Sequence, residues 1–397
     1  MGKPKSAEAT EGGLTVAGLF AGIGGIELGL HQAGHTTVTL SEIEPAALRV
    51  LQQRFEGVPL LGDVRDIKAL PRVDVVAAGF PCQDLSQAGR TAGIAGHQSG
   101  LIGHVFRLLD ARRRGPSWLL LENVSFMLHL DRGKAMRYLV DELEARGYNW
   151  AYRIVDTRAF GLPQRRQRVM MLASRSEDPR EVLFADDSEP FEPDFSTGVW
   201  CGFYWTEGLR GLGWAVDAVP TIKGGSSIGI PSPPAIWDPR SGTISTPEIR
   251  DTERFQGFEA DWTLPALNAP GVRRHHRWKL VGNAVSVPVF RWVGDRLRRP
   301  GVFDKGRSRD LLPRGVAWPK AAWGFNGAVY PVDVSMWPVR IRAPHLRDFV
   351  IYPLAPLSGR AAAGFLGRAE TSGLHFEVGF LDAVRRHAAR MLRAEVA

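Results

Sequence analysis

The sequence predicts an α/β protein: a doubly wound, Rossmann-like sheet, a smaller loop-rich domain after it, and a C-terminal extension. Three observations lead there. Short apolar runs alternate with helical patterns through the first 174 residues. A glycine-rich turn joins the first run to the first helix. Residues able to do chemistry recur just beyond the ends of the apolar runs, where open α/β sheets hold their ligands.

Taken in order, Leu14–Phe20 reads as a strand and Gly25–Gln32 as a helix; Thr36–Leu40 and Pro45–Arg54 repeat the pair. Val73–Ala78 and Trp118–Leu121 read as buried strands. Arg137–Arg146 is an amphipathic helix with Leu139, Val140 and Leu143 on one face, and Val169–Ala173 is a further strand. Alternation of this kind implies parallel pairing. Residues 175–240 are rich in Pro, Gly, Trp and acids and predict loops with short strands. Regular patterning returns at Ile249–Phe255, Val287–Leu297 and Phe380–Leu392. The expected organisation is a disordered lead-in over 1–13, a ligand-binding domain over 14–174, a second domain over 175–270, a return over 271–299 and a basic extension over 301–397.

The 397 residues are 44% apolar, enough for a core that needs no metal or disulfide. The two cysteines, Cys82 and Cys201, are too few for a disulfide framework or a cysteine-rich metal site, so no metal is expected. No apolar run reaches membrane-spanning length, and Met1–Gly13 lacks a signal-peptide stretch, so a soluble intracellular protein is expected. The net charge is +8, and residues 301–397, with 14 Lys/Arg against 8 Asp/Glu, hold most of it. Such a balance suits a polyanion, although many basic proteins bind none.

The turn Leu19-Phe20-Ala21-Gly22-Ile23-Gly24-Gly25 lets backbone approach a ligand and leaves helix amides free for a carboxylate. Glu27 stands where a dinucleotide fingerprint has its third glycine, so a pyrophosphate is not implied. Glu42, followed by Ile43, ends the second strand, where a carboxylate can take both ribose hydroxyls. Asp63, followed by Val64, is placed for an adenine amino group. A purely structural turn is the alternative; the ordered series favours an adenosine-type ligand.

Gly79-Phe80-Pro81-Cys82-Gln83 follows a buried strand, and its proline-fixed turn holds Cys82 toward the ligand side. The alternative is a small buried thiol. Glycines at 89, 93, 96, 100 and 103 predict a mobile lid, or else a plain surface loop. Glu122, in Leu120-Leu121-Glu122-Asn123-Val124, emerges on the same sheet edge, where an apolar setting raises a carboxyl toward proton donation; a helix-cap acid is the other reading. Arg166 and Arg168, in Gln164-Arg165-Arg166-Gln167-Arg168-Val169, suit a pyrimidine carbonyl and neighbouring phosphates, or form a solvated basic patch.

These blocks, with Gly282-Asn283-Ala284-Val285, resemble in content and order the DNA cytosine-C5 methyltransferase family over about residues 14–299. The resemblance implies a methyltransferase sheet that binds S-adenosylmethionine. It implies a pocket bordered by Phe20, Gly22, Ile23, Gly24, Glu42, Ile43, Asp63, Val64, Phe80, Pro81, Leu101, Asn283 and Ala284. It implies a late helix, Val285–Leu297, folded onto the first domain, and Cys82, Glu122, Arg166 and Arg168 at the target base. A thiolate on C6 turns the C5–C6 bond into an enamine, Glu122 serves N3, Arg168 holds O2, and the cytosine must leave the duplex. Double-stranded DNA is therefore the expected partner.

Gln83, Ser86, Gln87, Arg90, Thr221 and Lys223 are the candidate DNA contacts, with Arg210 and Arg240 as further ones, and Thr221-Ile222 resembles the family's recognition pair. Two stretches depart from the family: Gln256-Gly257-Phe258-Glu259 has glutamate where proline is usual, and Ile249–Arg254 replaces a proline-started segment. The expected setting is the bacterial cytoplasm, on the nucleoid when bound, as a monomer on DNA with restriction or phage-defence proteins as company. An RNA-methylating relative would carry Cys-Phe-Thr, which is absent; a silent paralogue would lack Cys82, Glu122 or Arg168; a redox protein would need a second cysteine near Cys82.

Overall fold

The computed structural model describes residues 12–80, 100–111, 115–191, 195, 198–225 and 233–394. Pro81, Cys82, Gln83, Ser86, Gln87, Arg90 and most of the expected lid lie outside the described residues. The chain forms two compact units: Met1–Ala159, Gln167–Pro190 and Ser286–Arg340 make the first, and Phe160–Arg166, Phe191–Val285 and Ile341–Ala397 the second.

In the first unit, strands β1 (Thr15–Leu19), β2 (Thr36–Ser41), β3 (Val75–Gly79), β4 (Trp118–Val124), β5 (Asn149–Asp156), β6 (Gln167–Ser174), β7 (Ala321–Phe325) and β8 (Ala328–Pro331) form one sheet. Their order is β8-β7-β5-β6-β4-β3-β1-β2. Helices α1 (Gly25–Gln32), α2 (Pro45–Arg54), α3 (Leu101–Asp110), α4 (Lys134–Ala145), α5 (Pro179–Leu183) and α6 (Val287–Arg298) accompany it. β1, β3 and β4 are near-continuous apolar runs because both faces of the sheet are covered. α6 packs closely on α1: a Cβ at Gly29 would sit 2.6 Å from Phe290 Cβ.

The sheet is mixed where alternation predicted parallel pairing. β1 to β4 are parallel, but β6 runs antiparallel to both β4 and β5. Only residues 157–166 join β5 to β6, and a parallel return would need a longer crossover, usually with a helix. The expected glycine loop also ends sooner: Gly103 lies inside α3, where Ile102, Val105, Phe106 and Leu109 supply a buried helical stripe.

Residues after 299, read from the sequence as one extension, divide between the units. The first part adds β7 and β8 to the sheet, with β7 antiparallel to β5. There Trp318 packs edge-on against Trp150 and Tyr152, with centroids 6.1 and 6.2 Å away. Arg153, fully buried on β5, donates to the carbonyls of Leu183, Asp186 and Ser335 and to Asp187, so one guanidinium fastens three segments.

The remainder, with helices Gly359–Glu370 and Phe380–Ala394, belongs to the second unit. Its antiparallel sheet runs Ala355–Pro356, Ile244–Thr246, Ala235–Trp237, Cys201–Phe203, Ala215–Val216. Phe203, Trp237, Phe365 and Phe380 make its core. No helix among the described residues is long and apolar enough to cross a membrane.

Candidate active site

The glycine turn between β1 and α1 is held open by backbone that few side chains permit. Phe20, Gly22 and Gly24 have φ of 54°, 56° and 82°. At Gly24 a Cβ would also fall 2.2 Å from the Phe55 ring, so glycine is required twice over. At the end of β2, Glu42 turns its carboxylate onto this turn. It accepts from the Gly22 amide at 2.7 Å and from the Ile43 and Glu44 amides at 2.7 and 2.8 Å. Ile43 beside it is 61% exposed, an apolar surface next to a fixed carboxylate. Asp63 is gripped by the Arg65 guanidinium, whose hydrogen bonds hold its carboxyl down to about 2. Val64 is buried, with its carbonyl taken by Arg107, and Leu101 opens α3. A carboxylate at the second strand end, an apolar neighbour and amides at a helix start fit a ribose-bearing ligand with a carboxylate of its own.

Glu27, in the first turn of α1, is fully buried against Gly18 of β1, with no hydrogen bond from another residue to either oxygen among the described residues. Burial pushes its carboxyl up to about 8, with Glu42 adding to the rise. Unfolded, it ionises near 4.5. Its contribution to stability is thus complete below pH 4.5 and lost as pH rises through about 8, at up to about 1.4 kcal/mol per pH unit. The wild-type Tm should fall between pH 5 and 8 relative to Glu27→Gln; parallel Tm profiles would refute this.

Glu122 and Arg168 meet at the carboxyl end of β4. Register places Glu122 opposite Gly79, three residues before Cys82, and Arg168 opposite Val124. Arg168 Nε lies 3.1 Å from Glu122 Oε1, an ion pair in which no N–H points squarely at that oxygen. The antiparallel course of β6 is what makes this possible: Arg168 stands near its start, and a parallel strand would carry it to the opposite edge.

The sequence pattern assigns Asn123 no role of its own. Its Nδ2 donates to the Phe80 carbonyl at 3.0 Å and fixes the residue before Pro81. Its place beside Glu122 was the only signal.

In the second unit, Gln164 is a buried hub. It donates to the Phe255 carbonyl and accepts from the Ile222 amide at 2.7 and 3.1 Å. Arg166 is buried and donates to the Ala284 carbonyl at 2.6 Å, which gives it a structural contact. The Thr221 hydroxyl donates to the Arg165 carbonyl at 2.9 Å. Lys223 pairs with Glu207 and lies 3.6 Å over the Tyr204 ring. Gly282 has no room for a side chain, since a Cβ would lie 2.1 Å from the Lys223 carbonyl carbon; Asn283 abuts Gly224 in the same way.

The two departures from the family pattern are accommodated here. Glu259 is exposed, while Gln256 beneath it donates to the Val281 carbonyl. Glu253, buried in helix Ile249–Phe255, accepts from the Asp261 and Thr263 amides and from Arg277. Cys201 lies at the core of this unit, where burial pushes its thiol up to about 12 and keeps it unreactive.

The sequence signature described as C-5 cytosine-specific DNA methylase matches residues 14–197. The chain is 48% identical over 391 residues to the Type II methyltransferase M2.BsuMI of Bacillus subtilis (strain 168), covering 96% of this chain and all of that one. It is 30% identical over 318 residues to the Type II methyltransferase M.Bsp6I of Bacillus sp. (strain RFL6), covering 72% and 98%. In fold it resembles the S. pombe Dnmt2 methyltransferase, with a TM-score of 0.52 at 18% identity over 72% of this chain and 98% of that one. The strand-end glutamate, its arginine partner and relatedness along nearly the whole chain lead to one assignment: the chain belongs to the C-5 cytosine-specific DNA methylase family and is a DNA (cytosine-5-)-methyltransferase.

Proposed function

We propose that the chain transfers a methyl group from S-adenosylmethionine to C5 of a cytosine flipped out of a specific duplex sequence, through a covalent bond between Cys82 and C6. The observation that carries this is the Glu122–Arg168 pair at the end of β4, next to the strand that leads to Cys82. When bound, the cofactor supplies an electrophilic methyl on sulfur. Glu42 would hold the ribose hydroxyls, Asp63 the adenine amine, and the amides of the glycine turn the carboxylate.

The Cys82 thiolate adds to C6 while Glu122 serves N3 and keeps negative charge off the ring. Arg168 steadies O2. C5 then takes the methyl, a base removes the C5 proton, and elimination returns the thiolate. Flipping costs a few kcal/mol of stacking and pairing, offset by contacts to the extruded base. The second unit is the source of sequence recognition in this reading. The Type II names of the relatives support a bacterial restriction–modification setting, on cytoplasmic DNA.

Duplex DNA carrying 5-fluorocytosine at the target should trap the protein covalently once the methyl donor is added, because fluorine cannot leave as a proton does. Cys82→Ala should give no adduct and no 5-methylcytosine by bisulfite sequencing. An adduct or methyl mark made by Cys82→Ala would end the assignment of the nucleophile.

A further inference from the structure

Beyond β4, Ser125–Gly133 forms a 3₁₀ segment with a kink. It buries Met127 and Leu128 and leaves Phe126 61% exposed. His129 is exposed one 3₁₀ turn further on, and Arg132 is exposed within the kink. Phe126 is thus a large exposed aromatic four residues after Glu122, outside the apolar core that Met127 and Leu128 join.

The segment is held by unusual means. Asp131 and Arg132 have φ of 49° and 58°, left-handed conformations that non-glycine residues keep only where surroundings enforce them. The enforcement is visible at Gly133, whose carbonyl accepts from Trp318 Nε1 at 3.0 Å and whose α-carbon lies against that indole. Trp318 is also the ring under the Arg137 guanidinium, 4.8 Å away. Trp318, three residues before β7, thus braces the loop that follows Glu122.

We propose that this segment is a rigid DNA-facing wedge: Phe126 stacks on a base next to the flipped cytosine, while His129 and Arg132 meet the adjoining phosphates. The proposal rests on the methyltransferase reading of Glu122 and deepens it. The occupant is duplex DNA for two reasons. The segment follows directly on β4, whose end carries Glu122 with Arg168 paired to it. It also pairs an aromatic surface with a guanidinium and an imidazole, the combination that bases and phosphates require. Flipping leaves a hole in the stack, and an apolar side chain held in fixed geometry stabilises the opened step.

The test uses the full-length protein, a duplex with 2-aminopurine in place of the target cytosine, read by fluorescence, and the unmodified duplex for KM and methylation, together with S-adenosylmethionine affinity. Phe126→Ala should raise KM for DNA at least fivefold and cut the fluorescence increase by half or more. Tm and cofactor affinity should stay unchanged, since Phe126 supports no core. Phe126→Trp should restore both DNA readouts. Arg132→Gln should lower the slope of log affinity against log salt by about 1. Wild-type values in Phe126→Ala, or equal loss in Phe126→Ala and Phe126→Trp, would overturn the wedge. Failure of the wild type to methylate the duplex would instead overturn the underlying reading.

Discussion

Glu122→Gln should lower the single-turnover rate of cytosine methylation by about 10²- to 10⁴-fold, the range for loss of a positioned acid. The amide has the shape of the carboxyl group and keeps its place between Gly79 and Arg168, so the strand end should hold its form. It cannot give a proton to N3, and it removes the Glu122 charge from beside Arg168. Charge would then collect on the ring as the thiolate adds, and the C6 bond would form less readily. Cofactor affinity should change little, because Glu42 and the glycine turn form a separate set of hydrogen bonds. Transfer of labelled methyl to a target duplex, at saturating protein, measures the effect. A rate within tenfold of wild type would mean that Glu122 is not the acid. Glu122→Asp should recover part of the loss, since the acid remains but reaches less far.

Phe380→Ala should destabilise the second unit by about 3–5 kcal/mol, the cost of removing a buried phenyl ring with no neighbour able to fill the space. Phe380 is fully buried, with ring centroids of Phe203, Trp214 and Trp237 at 4.9, 5.1 and 5.3 Å and that of Phe365 at 5.9 Å. It comes from the last helix, while Phe203, Trp214 and Trp237 come from residues near 200–240. The variant should therefore lose target-selective methylation although no residue between 191 and 285 has been altered. Tryptophan fluorescence should shift to the red, as Trp214 and Trp237 meet water. An unchanged emission maximum with unchanged site selectivity would show that the terminal helix is dispensable to that core.

Much of the site was legible because its residues announce themselves locally. Gly22 and Gly24 mark a turn, Glu42 and Glu122 end apolar runs, and such runs become strands whose ends carry ligands. Asn123 was not legible as a positioning group. Its value lies in a bond to Phe80, 43 positions away in sequence, and no periodicity encodes that distance. The candidate DNA contacts fared differently again. Thr221 and Lys223 stand in the second unit, but the hydroxyl of one and the ammonium of the other are engaged with protein groups, at Arg165 and Glu207. A polar residue in a loop advertises its chemistry; which partner it meets is a matter of what folds beside it.

Local pattern carried the α/β class, the turn, and the order of Cys82, Glu122, Arg166 and Arg168 along the chain. These depend on short-range apolar periodicity and on backbone conformations that particular residues permit. Long-range packing set the antiparallel course of β6, the division of residues after 299 between a sheet edge and an aromatic core, and the burial of Cys201. The reason is physical. Strand direction and burial are settled by pairings between segments far apart in the chain, where connection length and the total apolar surface to be covered count for more than any local pattern.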